Sequence, residues 1–342
     1  MKNIDYTLRA RLQLLGIVAV IAVFAIILVS KFGCSSNSSD TKVEKKTGKS
    51  VKTKTLSSIP EPRFLKKSEL IPFMQQLSWA KAKSNNIKFP RIANYPTAGI
   101  LIDLNTNEVI WAKNPEMQVP IASMSKLMTV LLVLEEIKYG NKNITLDSQV
   151  KATRECAAIR VGAMGLSPNK IYKLEELLQA ATIRSANDAA ALAGAFIADY
   201  SVAEFVKKMN LKAQSLQLKK TIFINPHGLP DKNKHNLSTA LEVAVMANEI
   251  LRHPEYMKWA KTYQTFAVNN TKELTNTNNL VRKRKTPGVD GLKTGYTIKA
   301  GSCLAFSCMR DGRRMLGVVT GFKRAGDRDD FVEALLDWGY KQ

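Results

Sequence analysis

Ser123 and Lys126 stand three positions apart, where Pro120 and a few small residues give way to a long run of helix formers. On a helix such a pair shares one face with Cβ atoms about 5–6 Å apart, so an amine comes within reach of a hydroxyl. A serine hydroxyl is a weak nucleophile, and a lysine can take its proton only when the amine is neutral. The residues after Lys126 are apolar nearly all the way round, which predicts a buried helix, and burial favours the neutral amine. Moving a lysine from about 10.4 to near 7 takes roughly 3 units, or about 4 kcal/mol, within what buried lysines display. The spacing alone is weak evidence. It recurs at Ser167 and Lys170, in a Gly- and Pro-bearing loop that fixes neither side chain.

Two further short patterns follow in order. Ser185-Ala186-Asn187 separates two helical stretches, 174–183 and 189–198, where Ser, Asn and Asp also suit a plain turn and helix cap. Lys293-Thr294-Gly295 lies in a strand-like run. Chance copies of both exist at Ser35-Ser36-Asn37 and Lys46-Thr47-Gly48. The ordered set is the stronger signal: a buried helix start, an interhelical turn and a strand.

The elements that must hold these groups are legible from periodicity. Residues 98–104 and 108–113 are β-rich runs around Asn105-Thr106-Asn107, and 302–309 and 313–320 form a second hairpin around Asp311-Gly312. Helices are expected over 204–218, 239–251 and 331–338, with a short one within 68–83 interrupted at Pro72. Strands at both ends of the body with helices between them predict an α+β fold, an antiparallel sheet covered by helices plus an all-helical subdomain. The folded body is expected to run over residues 90–342.

Upstream of it the chain changes character. Residues 12–30 carry no charge and are long enough to cross a bilayer, with Arg9 and Arg11 just before them. No Ala-x-Ala-like cleavage site follows, so residues 1–33 are expected to be a retained membrane anchor with the bulk of the chain on the extracytoplasmic side. Lipidation at Cys34 is disfavoured by Lys31 and Phe32. Residues 34–89 form a basic tether poor in large apolar residues, with a lysine run at 42–54. Lys46-Thr47-Gly48-Lys49-Ser50 resembles a phosphate-binding loop, but Val43 stands where such a loop needs glycine.

The chain of 342 residues carries a net charge of +22 without the stacking aromatics or reading helix of a nucleic-acid binder. An anionic envelope, lipid headgroups or a carboxylate-bearing wall polymer, is the expected partner of the basic segments. His227, His235 and His253 have no metal-ligand spacing, and no metal or cofactor is expected. Cys303 and Cys308 lie five apart on a strand, on opposite faces and about 16 Å from each other, so they cannot bridge. Buried free thiols are the default for the cysteines.

From about residue 90 to 340, the three patterns together with Asn225-Pro226-His227-Gly228-Leu229, Asp290-Gly291-Leu292 and the closing Leu335-Leu336-Asp337-Trp338-Gly339-Tyr340 resemble the D-alanyl-D-alanine carboxypeptidases, the low-molecular-weight penicillin-binding proteins. The resemblance implies a β-lactamase/transpeptidase-like fold and a serine peptidase. It would remove the terminal D-alanine of peptidoglycan stem pentapeptides through an acyl-enzyme on Ser123, and β-lactam antibiotics would inhibit it covalently. It implies Lys126 as base, Ser185 as proton relay, Asn187 on the substrate amide, Lys293 and Thr294 on the terminal carboxylate, and Gly295 admitting the peptide. The oxyanion would sit between the backbone N–H groups of Ser123 and Tyr296. Arg328 is left unassigned. A D,D-endopeptidase acting on crosslinks is the nearest alternative, and a catalytically idle wall-binding anchor is the alternative outside enzymes. A serine β-lactamase is disfavoured, since no separate glutamate motif is placed to drive deacylation.

Overall fold

Antiparallel pairing needs β-rich runs with turn residues between them, and the two expected hairpins form. In the computed structural model, which describes residues 72–82, 87–89, 92–269 and 271–342, β1 (Ala98–Asp103) and β2 (Glu108–Lys113) make the first hairpin. β3 (Val289–Thr297), β4 (Gly301–Arg310) and β5 (Arg313–Phe322) come near the end of the chain. They form one five-stranded sheet in the order β2-β1-β5-β4-β3, antiparallel throughout. Pairing of β1 with β5, with Ile100 opposite Val318, joins the two ends of the body.

Helices cover both faces of this sheet. On its two faces lie α5 (Ala240–Ile250) and α6 (Ala325–Gly339), while α1 (Lys126–Tyr139), α2 (Leu174–Gln179), α3 (Asn187–Phe196) and α4 (Val202–Ser215) form a helical layer packed against α5. A strand's period of two sends Ile100 and Ile102 into the core shared with α1, α3 and α5, and Leu101 into the core under α6. Phe331, Leu335 and Leu336 of α6 are fully buried there, each contributing roughly 1.5–3 kcal/mol by area. Ser201 and Thr239 start α4 and α5 by accepting the N–H of Glu204 and Glu242, as capping chemistry requires. Cys303 and Cys308 fall in the two opposite cores, and Cys156, Cys303 and Cys308 are buried free thiols.

Three local expectations change. The packed body extends upstream of residue 90: Phe73 and Leu77 are buried, and Ser78 bonds across to Asn107 and Val109 beside β2. Of the helix expected within 68–83, the described part is a single turn, Phe73–Gln76. Ser123 lies before α1, in a 3₁₀ turn, Ala122–Ser125, entered through Ala122 at φ 47°. The expected anchor at residues 1–33 and most of the tether lie outside the described residues. Among the described residues no helix is long and apolar enough to cross a membrane.

Candidate active site

The site assembles where the 3₁₀ turn, the start of α3 and β3 converge. Ala122 bends the chain so that Ser123 faces a cleft while Lys126 opens α1 beneath it, with no measurable exposure. The Lys126 amine has three neighbours: Ser123 Oγ at 2.9 Å, Asn187 Oδ1 at 2.6 Å and the carbonyl oxygen of His227 at 2.6 Å. The last two can only accept. A neutral amine that donates one hydrogen to each carbonyl therefore has its lone pair left for the hydroxyl proton of Ser123.

Electrostatics favour that neutral form. Burial, and then the charge of Lys293, hold Lys126 well below the usual lysine range, while Asp188 pulls weakly the other way. Lys293 is itself lowered to about 7, by burial first and by Arg328 second. His227, lowered to about 3 by burial and by Lys126, stays neutral, and its Nδ1 accepts the Leu229 N–H at 3.1 Å.

Glycines let the elements approach. A β-carbon on Gly295 would stand 2.9 Å from the carbonyl oxygen of Ile121 and 3.3 Å from Ala122 Cβ. The glycine of Lys293-Thr294-Gly295 thus seats β3 against the Ser123 turn and also lines the cleft. Strand alternation puts Lys293 on the same inner face, 1% exposed, with its amine donating to the Thr294 carbonyl at 3.2 Å. Lys293 stands behind the cleft wall; Thr294, its hydroxyl 2.6 Å from that of Thr277, stands on it.

The second pattern is divided by its backbone. α2 ends in a π-helical turn, Ala180–Arg184, and Ser185 follows in the left-handed region at φ 63°, lining the cleft. Asn187 opens α3, but Ala186 takes the cap position and no side chain caps the helix. Both ends of the Asn187 amide are engaged within the protein, Oδ1 by Lys126 and Nδ2 by the Val161 carbonyl at 2.7 Å. Its geometry fixes Lys126, and because Asn187 also lines the cleft, the second hydrogen of its Nδ2 is left for a substrate. Asp188 turns away into the core and accepts the N–H groups of Met164, Gly165 and Leu166, holding the opposite lip of the cleft.

The cleft encloses about 590 Å³ and is lined by Ser123, Ser185, Thr294 and Tyr296. Among the described residues no Asp or Glu lines it, whereas Arg184, Lys323, Arg324 and Arg328 do. Arg328 is 3% exposed; its guanidinium is braced by Asp329 at 2.6 and 2.9 Å and by the Cys303 carbonyl at 3.1 Å. Sequence reading left Arg328 out, because no short pattern marks it: its place depends on α6 packing against β4. The backbone carbonyl of His227 was equally invisible, although its loop was noticed. Ser167 and Lys170 stay outside this constellation, both exposed.

An antiparallel sheet between helices, with serine, buried lysine and a cationic cleft at the sheet edge, defines a serine peptidase of the β-lactamase/transpeptidase-like fold. The chain belongs to the D-alanyl-D-alanine carboxypeptidase family, whose sequence profile matches residues 87–324. It is 35% identical over 266 residues to the D-alanyl-D-alanine carboxypeptidase DacF of Bacillus subtilis, covering 77% of this chain and 67% of that one. It is 31% identical over 255 residues to a D-alanyl-D-alanine endopeptidase of Escherichia coli, covering 73% and 78%. Among solved structures, a penicillin-binding protein of Listeria monocytogenes with ampicillin bound matches with a TM-score of 0.64 at 29% identity, over 73% of this chain and 100% of that one.

Proposed function

We propose that the protein removes the terminal D-alanine from peptidoglycan stem pentapeptides through an acyl-enzyme on Ser123. The observation that carries this reading is the Lys126 amine, held by two carbonyl oxygens at 2.6 Å with Ser123 Oγ at 2.9 Å. Neutral Lys126 takes the hydroxyl proton as Oγ attacks the carbonyl carbon of the penultimate D-alanine. The resulting oxyanion is met by the backbone N–H groups of Ser123 and Tyr296. Collapse breaks the peptide bond. The departing amine receives the proton from Lys126 through the Ser185 hydroxyl, and water, deprotonated by Lys126, then hydrolyses the ester. Thr294 and Arg328 line the cleft where the terminal carboxylate would lie, and Lys293 behind them adds to the positive potential.

Mass measurement after incubation with a labelled penicillin tests the acyl-enzyme: a stable adduct on Ser123 is expected, and a folded sample without one overturns the mechanism. An endopeptidase among the relatives makes crosslinked dimers the second substrate to assay. Release of D-alanine from a pentapeptide without dimer cleavage is the expected result. We further propose that residues 12–30 anchor the enzyme in the membrane, with the catalytic body on the extracytoplasmic side. Supporting this is the uncharged stretch itself; recovery of the full-length protein in the soluble fraction would refute it.

A further inference from the structure

The loop that supplies the His227 carbonyl has no regular secondary structure of its own, yet it must be placed to a fraction of an ångström for the Lys126 lone pair to face Ser123. The Thr129 hydroxyl holds the loop by donating to the Pro226 carbonyl at 2.6 Å, and Asn236, 1% exposed, ties it to the Ser123 turn. On the loop side, its Oδ1 accepts the N–H of Ile224 at 2.7 Å and of Asn225 at 3.3 Å, and its Nδ2 donates to the Asn225 carbonyl at 2.9 Å. On the turn side, the same Nδ2 donates to Ser125 Oγ at 2.8 Å, and the Asn236 carbonyl accepts the Ile121 N–H at 3.1 Å. Ser125 in turn donates to the Ala122 carbonyl at 2.7 Å, one residue before the nucleophile.

The network continues into the loop. Asn225, held by Asn236, accepts the N–H groups of His227 at 3.2 Å and Gly228 at 2.7 Å through its Oδ1, which fixes the peptide unit whose carbonyl meets Lys126. The strand residue Leu237 pairs with both Pro120 and Ile222, and beyond the reach of that pairing the Asn236 side chain bridges the loop and the turn, joining both halves of the contact between Ser123 and Lys126. An asparagine suits this place because it presents an acceptor and two donors in one plane; aspartate would set a carboxylate oxygen against the Ser125 and Asn225 oxygens.

We propose that Asn236, acting through Ser125 and Asn225, is a positioning residue for acylation: it aligns the His227 carbonyl and the Ser123 turn so that the Lys126 amine faces the nucleophile. The inference rests on the reading of Ser123 as nucleophile and Lys126 as its base. Displacing a reacting group by about 1 Å costs on the order of a hundredfold in rate without weakening the binding that precedes it.

The test is stopped-flow acylation of the full chain by a labelled penicillin, which separates the dissociation constant of the initial complex from the rate constant of ester formation. Asn236→Ala is expected to lower the acylation rate constant about a hundredfold with the dissociation constant unchanged. Ser125→Ala, a smaller change that keeps the protein folded if Asn236→Ala does not, is expected to lower it about tenfold, the worth of one hydrogen bond. In the double variant the losses fall short of multiplying, because both substitutions remove one contact. A merely structural role would reduce the melting temperature but leave the folded fraction acylating at the wild-type rate, and that result in either variant overturns the proposal. Equal losses in binding and in rate would overturn it as well. Wild-type protein that takes no label overturns the acylation reading itself and this inference with it; labelled wild type with unaffected variants overturns this inference alone.

Discussion

Gly228 lies flat against Ala122: a β-carbon there would overlap the Ala122 carbonyl and come within 2.8 Å of the Ser123 N–H. Its φ of +91° is closed to side chains for a second reason, backbone strain of about 1–3 kcal/mol. Gly228→Ala must therefore push either the loop or the nucleophile turn. Acylation by a labelled penicillin should fall by about a hundredfold or more, from displacement of the reacting groups. Thermal melting should show a loss of a few kcal/mol by the same strain estimate.

In the mechanism proposed above Lys126 acts as a neutral base, so the acylation rate should fall as pH drops through its pKa. The Lys293 charge is the second cause holding that pKa down. Removing it with Lys293→Met should move the acidic limb of the acylation profile to higher pH, read by stopped-flow labelling across pH. An unmoved limb would mean that burial alone sets the lysine.

Lys293 also links stability to pH. With a folded pKa of about 7 against about 10.4 unfolded, the unfolded chain holds a proton that the fold excludes between those values. Stability should therefore rise with pH across that window, by about 5 kcal/mol at most, and this contribution should flatten below it. Denaturant titrations at several pH values check this: Lys293→Met should lose that part of the slope.

Arg328 is the buried partner of Asp329 and also lines the cleft. Arg328→Ala leaves the Asp329 carboxylate buried with, among the described residues, the Asn279 amide at 3.0 Å as its remaining side-chain partner, and should cost roughly 3–5 kcal/mol in denaturant unfolding. Its effect on catalysis should be selective. Turnover of a peptide with a free terminal carboxylate should fall far more than reaction with an ester lacking that group, as kcat/KM for the pair would report.

Asp188 accepts four backbone N–H groups, from Met164, Gly165, Leu166 and Ala189. Asp188→Asn replaces one acceptor oxygen by a donor facing N–H groups, which should destabilise the protein by about 1–3 kcal/mol. Because the same lip carries the Val161 carbonyl that orients Asn187, the variant should also acylate more slowly, measured beside its melting curve.

While the short helix Pro254–Ala260 was not marked, the α+β layout, both hairpins and most of the longer helices were legible in the sequence, which also marked Ser123, Lys126, Ser185, Asn187 and Thr294 as candidates. Those features are written in local patterns: periods of 2 and 3.6, turn residues, caps and motifs a few residues long. Tertiary structure alone decided how these groups act. The carbonyl that orients Lys126 comes from a residue 101 positions away, and Asn236 reaches Ser125 across 111 positions. A backbone carbonyl has no sequence signature, since every residue carries one. Arg328 joins the cleft lining beside the buried Lys293 because the packing of α6 on the sheet, not a local pattern, brings it there. The bond from Lys126 to Asn187 Oδ1 across 61 positions was hidden for the same reason: packing settles where a side chain points after composition has settled what it can do.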